Sequence, residues 1–317
     1  MNGKVMDEKA LKRKALWLRI KMSRQVYFLL LPVLVWLIIY SYVPIYGIIL
    51  AWKDYSAAKG ILGSEWVGWM HFEFMFADPA YLSALKNTLT ISVIKLIVTF
   101  PAPLILALLI NEVRVTGYRR VIQTLTYLPH FVSWVIMGGL IKSFLAPETG
   151  AMNQLLELLG REKIQFMYEP DWFMPILLIA ELWKGTGWAS IIYLASIMNI
   201  DSTMYEAAEI DGCGHFKRIL FITIPSILPT VAMQFVLAVA NIMNAGFGPI
   251  YNLYNPATES VAEIIDTLAY KTFLKSGEWE LSAAMGLFKN GVNVILMVGG
   301  NIITKRITGY SMYSFDN

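Results

Sequence analysis

Charge is scarce in this chain. Only 15% of its 317 residues are Asp, Glu, Lys or Arg, 56% are hydrophobic, and the mean hydropathy is +0.54. A soluble domain carries about 25% charged residues, so the composition is that of a membrane protein. The single cysteine, Cys213, excludes an internal disulfide and any paired-cysteine metal site. His71, His130 and His215 fall in three separate regions and no serine sits in G-x-S-x-G, so no embedded serine-hydrolase dyad is present. H-E-x-x-H is missing, and so is G-x-x-x-x-G-K-[ST], which leaves no loop to cradle ATP phosphates. If the protein moves a solute uphill, the energy comes from a partner or from an ion gradient.

What is plentiful is uncharged sequence. Tyr27–Trp52 and Ile219–Thr258 contain no charged side chain, and each exceeds the roughly 20 residues that cross a bilayer core. Six candidate spans emerge: Val26–Leu50, Asn87–Ile110, Val121–Phe144, Trp172–Met198, Ile219–Ala245 and Leu281–Thr304. The first is too long, and too far from the start, for a cleaved signal peptide. The expected fold class is therefore all-α, a polytopic membrane protein of six transmembrane helices. It divides into a basic N-terminal segment (1–25), a membrane domain (26–304) and a C-terminal tail (305–317).

Met1–Gln25, Asn111–Arg120, Asn199–Arg218 and Lys305–Asn317 hold eight, three, two and two Lys/Arg. In the other three connectors acidic residues outnumber basic ones. Basic connectors stay on the cytoplasmic side, which places both termini and the loop from Asn199 to Arg218 inside. Lys12–Arg24 alternates basic and apolar residues and serves as a positive topology anchor. An amphipathic helix on the inner membrane surface is the other reading of that segment.

Five charges lie within or at the edges of spans: Lys95, Lys142, Glu181, Lys184 and Lys289. Intramembrane charges pair or face a wet cavity. Glu181 and Lys184, three apart, have the spacing of a local pair, and Lys142 sits where a side chain snorkels to the interface. Lys95 and Lys289 are the better candidates for a polar pathway, and the excess of lysine favours an anionic solute. Trp183, Trp188 and Phe247 are placed to stack on sugar rings or simply to pack.

The loop YEAAEIDGCGHFKR, Tyr205–Arg218, interrupts these apolar runs. Asp201, Ser202 or Thr203 can each cap a helix, Thr203 and Glu206 have capping-box spacing, and Gly212 or Gly214 can end it. A two-turn helix is expected, with Pro225 and Pro229 marking where the chain turns into the next span.

Glu206-Ala207-Ala208, Gly212, Ile222 and Pro225 match the EAA…G…I-x-L-P signature of permease subunits in binding-protein-dependent ABC importers, with Ile224 in place of Leu. In the carbohydrate branch this region reads EAAxIDGA, and Cys213 replaces the last alanine. The chain resembles that family over almost its whole length, in FLLLPVLVWLIIYSYVPIYGIILAWKDYS, NEVRVTGYRRVIQTLTYLPHFVSWVI, WKGTGWASIIYLASIMNID and GFGPIYNLYNP. It looks most like the branch serving oligosaccharides and polysaccharides, in particular the permeases of bacterial alginate importers.

The resemblance implies a non-catalytic, multi-pass subunit of the bacterial inner membrane that takes up an oligosaccharide or an acidic polysaccharide such as alginate. It implies a second, similar permease, two cytoplasmic ATPases that use ATP and Mg, an extracytoplasmic solute-binding protein, surrounding lipid and no nucleic acid. This chain would bind no cofactor or metal. The loop helix (EAA loop, 201–225) would couple to the ATPase through Glu206, Ala207, Ala208 and Gly212, with Tyr205, Asp211, Phe216 and Lys217 as neighbouring contacts. The competing reading is an ion-coupled secondary carrier of a small solute. Glu181 is the one carboxylate within a span, and no inverted repeat is visible. A passive channel and a membrane enzyme have no supporting motif.

Overall fold

The computed structural model describes residues 17–19 and 21–310. Residues 12–16 and 20 of the proposed anchor segment and residues 311–317 of the C-terminal tail fall outside them. Within the described residues the chain is almost wholly helical, apart from one two-stranded hairpin.

Four helices are long and apolar enough to cross a membrane: helix one (Arg24–Trp52), helix two (Pro79–Glu112), helix five (His215–Ala240) and helix six (Trp279–Thr308). Helix four, Pro170–Met198, spans 29 residues, and Glu181 and Lys184 lower the apolarity of its middle. The expected third span, Val121–Phe144, is not one continuous helix. Thr116–Phe131 and Trp134–Phe144 meet at 100°.

The break has a local cause. Pro129 opens a tight 3-10 turn, Leu128–Phe131, and Ser133 then caps the next helix by accepting the Ile136 N–H at 3.2 Å. Carbonyls freed at such a break need donors, because the bilayer core offers no water. Lys184 supplies them. Its Nζ donates to the carbonyls of Val132 at 2.5 Å and His130 at 2.6 Å, and lies 5.5 Å from the Trp134 ring centroid. The expected Glu181–Lys184 pair does not form.

Helix one begins as α-helix, passes through a wide turn at Ile38–Tyr42 and ends as a 3-10 segment, Val43–Trp52, that packs on helix six. The hairpin that follows pairs Lys53 with Trp66, and Lys53 Nζ closes it on the carbonyls of Leu62 (3.0 Å) and Ser64 (3.2 Å). Helix two is capped by Asp78, which accepts the Ala80 N–H at 2.9 Å, with Pro79 in its first turn. Helix five starts at His215, earlier than expected. It widens at Ile219–Thr223 just before Pro225, so Pro225 and Pro229 lie inside it rather than at its mouth.

Helix four is the centre of the bundle, packed against helix two, the first half of the bent pair, and helix five. Ala107 and Ile110 of helix two meet Tyr193, Leu194 and Ile197 of helix four and Ile227 of helix five in one buried cluster. A second cluster joins Ile91, Phe173 and Leu177 to the short helices of the acidic connectors. Helix four approaches the bent pair most closely at Gly187, where a Cβ would lie 2.0 Å from the Thr126 carbonyl oxygen. Gly187→Ala should therefore cost roughly 1–3 kcal/mol through overpacking, while Gly185→Ala, with open space around it, should not. Thermal unfolding of the purified protein in detergent checks this. Equal midpoints for the two variants would contradict the packing.

Candidate functional site

Two places on the molecule have the features of working parts. The first is a cavity of about 840 Å³ between helices two, four and five. Its polar wall includes Lys95, Thr99, Gln234, Asn241 and Asn244, with Trp188 at one side. Asn241 and Asn244 follow the C-terminus of helix five at Ala240, and the Asn244 amide donates to Asn241 Oδ1 at 3.0 Å. Trp188 stacks on His130 with ring centroids 4.6 Å apart.

Lys95 is tied down at this wall. Its Nζ donates to Glu181 Oε1 and to the Ala245 carbonyl, both at 2.6 Å, and both charged side chains are 15% exposed. The backbone turns sharply at the next residue, Gly246, with φ +105°, where a Cβ would stand 3.1 Å from Lys95 Nζ and 3.3 Å from Glu181 Oε1. Only glycine combines that torsion with that clearance.

The anticipated pathway residues thus separate. Lys95, Glu181 and Trp188 gather at the cavity. Lys184 holds the helix break. Lys289 pairs with Asp266 on the Ile265–Lys271 helix, away from the cavity. Trp183 borders a different, apolar groove with Leu140, Phe144 and Ile179. Phe247 stacks on Tyr251 at 5.0 Å and meets Tyr270 edge-on. Each of these three lysines is neutralised or engaged within the chain, so the expected cationic balance of the pathway is replaced by a nearly neutral wall. Gln234, Asn241 and Asn244 were not anticipated, because amides near the end of an apolar run carry no distinctive spacing.

The second place is the loop helix, Ser202–Ile210. Asp201 caps it by accepting the Thr203 N–H at 2.9 Å, in place of the expected Thr203–Glu206 box. That bond holds the Asp201 carboxyl below the usual carboxylate range. The cap is complete at neutral pH and is lost only as pH falls through the lowered value. At the other end Cys213 N–H donates to the Ala208 carbonyl (2.8 Å) and Gly212 N–H to that of Glu209 (3.1 Å), with Gly212 at φ +70°. This is a Schellman ending.

The helix has two faces. Tyr205 and Ala208 are half-buried against the protein, while Glu206, Ala207, Asp211 and Lys217 are exposed. The outward side also carries Met204 and Ile210, the latter at 87% exposure, and Phe216 at the start of helix five is 76% exposed. Met204, Ala207 and Ile210 recur every three residues, a stripe that the sequence displays and that the EAA signature drew attention away from.

Several long apolar helices around a cavity with a polar strip, and an exposed capped helix at one side, are the features of a membrane transport subunit. Residues 99–309 match the family model described as binding-protein-dependent transport system inner membrane component, and the chain belongs to that family. It is 42% identical to Protein LplB of Bacillus subtilis (strain 168) over 90% of both chains. It is 39% identical to the polygalacturonan/rhamnogalacturonan transport system permease protein YteP of the same organism, over 95% of this chain and 94% of the relative. Among solved structures it is similar to a chain of a bacterial alginate ABC transporter in complex with an alginate pentasaccharide-bound periplasmic protein. That likeness has a TM-score of 0.85 at 38% identity, covering 94% of this chain and 99% of the other. The protein is thus the non-catalytic, multi-pass inner-membrane permease of a carbohydrate ABC importer, and the secondary-carrier reading falls away.

Lys95→Met would leave Glu181 buried without its cation, which should cost roughly 3–5 kcal/mol. Lys95→Met/Glu181→Met should recover most of that loss. Unfolding midpoints of the parent, single and double variants check it, and a single variant as stable as the parent would remove the pair from the fold's supports.

Proposed function

We propose that this permease carries an acidic oligosaccharide or polysaccharide, of the alginate type, from an extracytoplasmic binding protein to the cytoplasm. It does so beside a second permease, driven by two ATPases that hydrolyse Mg-bound ATP. The observation that carries the coupling half of this reading is the outward stripe of Met204, Ala207 and Ile210 on a helix capped at both ends. An exposed apolar stripe on a rigid helix suits insertion into a groove of a partner. The basic connectors put that stripe on the cytoplasmic side with both termini, and lipid surrounds the spans.

The substrate half rests on likeness. YteP is described as serving polygalacturonan and rhamnogalacturonan, and the solved neighbours serve alginate. All of these are acidic polysaccharides. The amides Gln234, Asn241 and Asn244 on a largely apolar, nearly neutral wall suit hydroxyl-rich rings passing through, so discrimination for the carboxylates falls mainly to the binding protein. ATP binding would close the ATPase pair, move the docked helix and open the cavity outward. Hydrolysis would return it.

Proteoliposomes holding the permease pair and ATPases, supplied with the binding protein, should take up alginate oligosaccharides and not their carboxyl-reduced counterparts. Uptake of the reduced chains alone would overturn the substrate reading. Ile210→Asp should weaken co-purification of the ATPases about thirtyfold, as expected for loss of an anchor worth roughly 2 kcal/mol. Undiminished association would overturn the docking role.

A further inference from the structure

If the outward face of Ser202–Ile210 receives the ATPase, its inward face must deliver the displacement to the spans. The structure contains two hydrogen-bonded links between this helix and the base of helix five. Arg218 Nη1 donates to Glu209 Oε2 at 3.1 Å, but Glu209 is 74% exposed, and an ion pair in that setting is screened and weak. The other link joins the Tyr205 hydroxyl to Thr223 Oγ1 at 2.8 Å. Thr223 is buried, at 2% exposure, so this bond is shielded from competing water.

The position of Thr223 gives the link its consequence. It is the last residue of the wide turn Ile219–Thr223, where helix five departs from regular α geometry. Pro225 has no N–H to close the regular ladder just beyond it, and wide turns of this kind are frequent at functional sites. Below the turn, His215 lies against Glu112 at the end of helix two, and with His215 57% exposed this contact is screened as well. Above it, Ile224–Ala240 runs on as one helix and presents Gln234 and Leu237 to the cavity wall. Of these contacts around the wide turn, the tyrosine's is the one shielded from water, and it meets the turn at its upper edge.

We propose that Tyr205 is a positioning residue rather than an ATPase contact: its hydroxyl passes the displacement of the loop helix to helix five at Thr223, and so to the cavity wall. This rests on the reading of Ser202–Ile210 as the coupling element. The phenol ring fills the half-buried space beneath the helix, and the hydroxyl alone carries the pull.

The test uses the complete complex in a Cys213→Ala background with Leu237→Cys at the cavity wall. Maleimide labelling of that cysteine is compared with and without ATP and vanadate, a readout that needs no transported sugar. Tyr205→Phe and Thr223→Val should shrink the ATP-dependent change in labelling about fivefold, in the range expected for one hydrogen bond. Thr223→Ser, which keeps the hydroxyl, should preserve it. The ATPases should remain bound and active in all three, and Tyr205→Phe/Thr223→Val should be no worse than either single variant. A parental labelling change in Tyr205→Phe, or losses that multiply in the double variant, would overturn the proposal. Loss of the ATPases from Tyr205→Phe would make Tyr205 a docking residue and overturn it equally. A parent complex whose labelling ignores ATP while its ATPases stay bound would bring down the coupling reading and this inference together.

Discussion

Lys95 holds the centre of this protein together. Its ammonium group reaches Glu181 on helix four and the Ala245 carbonyl beyond helix five from its own place on helix two. In a medium of low dielectric a lone charge is costly, and a paired one tolerates displacement poorly. The two bonds therefore fix the relative positions of three segments around the cavity, and Gly246 is the residue that lets the backbone pass over them. The same constraint recurs at the helix break, where Lys184 satisfies carbonyls that a straight span would have satisfied itself. It recurs again where Lys289 meets Asp266.

This use of charge separates structure from transport chemistry. Lysines that looked like a cationic path are spent on holding the fold, and the polar part of the cavity wall is left to amides and hydroxyls set among apolar side chains such as Leu96, Ile192 and Leu237. On the proposed reading, the exposed stripe at Met204, Ala207 and Ile210 is the surface through which another chain's motion enters.

Much of this was legible in the sequence because it rests on local signals. Uncharged runs marked the long helices, and Gly212 marked the end of the loop helix because a Schellman ending needs positive φ. What the sequence concealed were choices made at a distance. Glu181 has a lysine three residues along its own helix and pairs instead with one 86 positions away. Pro129 is compatible with a kinked span as well as a broken one, and the outcome depends on Lys184 arriving from another helix to complete the break. Ala207 and Ala208 stand side by side in the signature, yet a 100° step around the helix exposes the first and tucks the second inward. Tyr205, adjacent to the signature, points back into its own protein.

The central claim is that energy enters through the outward face of Ser202–Ile210. The most direct measurement places a photo-cross-linking amino acid singly at Ala207, Ala208 and Ile210 in the assembled complex and identifies what each captures. The account predicts that positions 207 and 210 capture an ATPase subunit and that 208 captures segments of the permease itself. Capture of the ATPase from 208 but not from 207 or 210, or from none of the three, would contradict it.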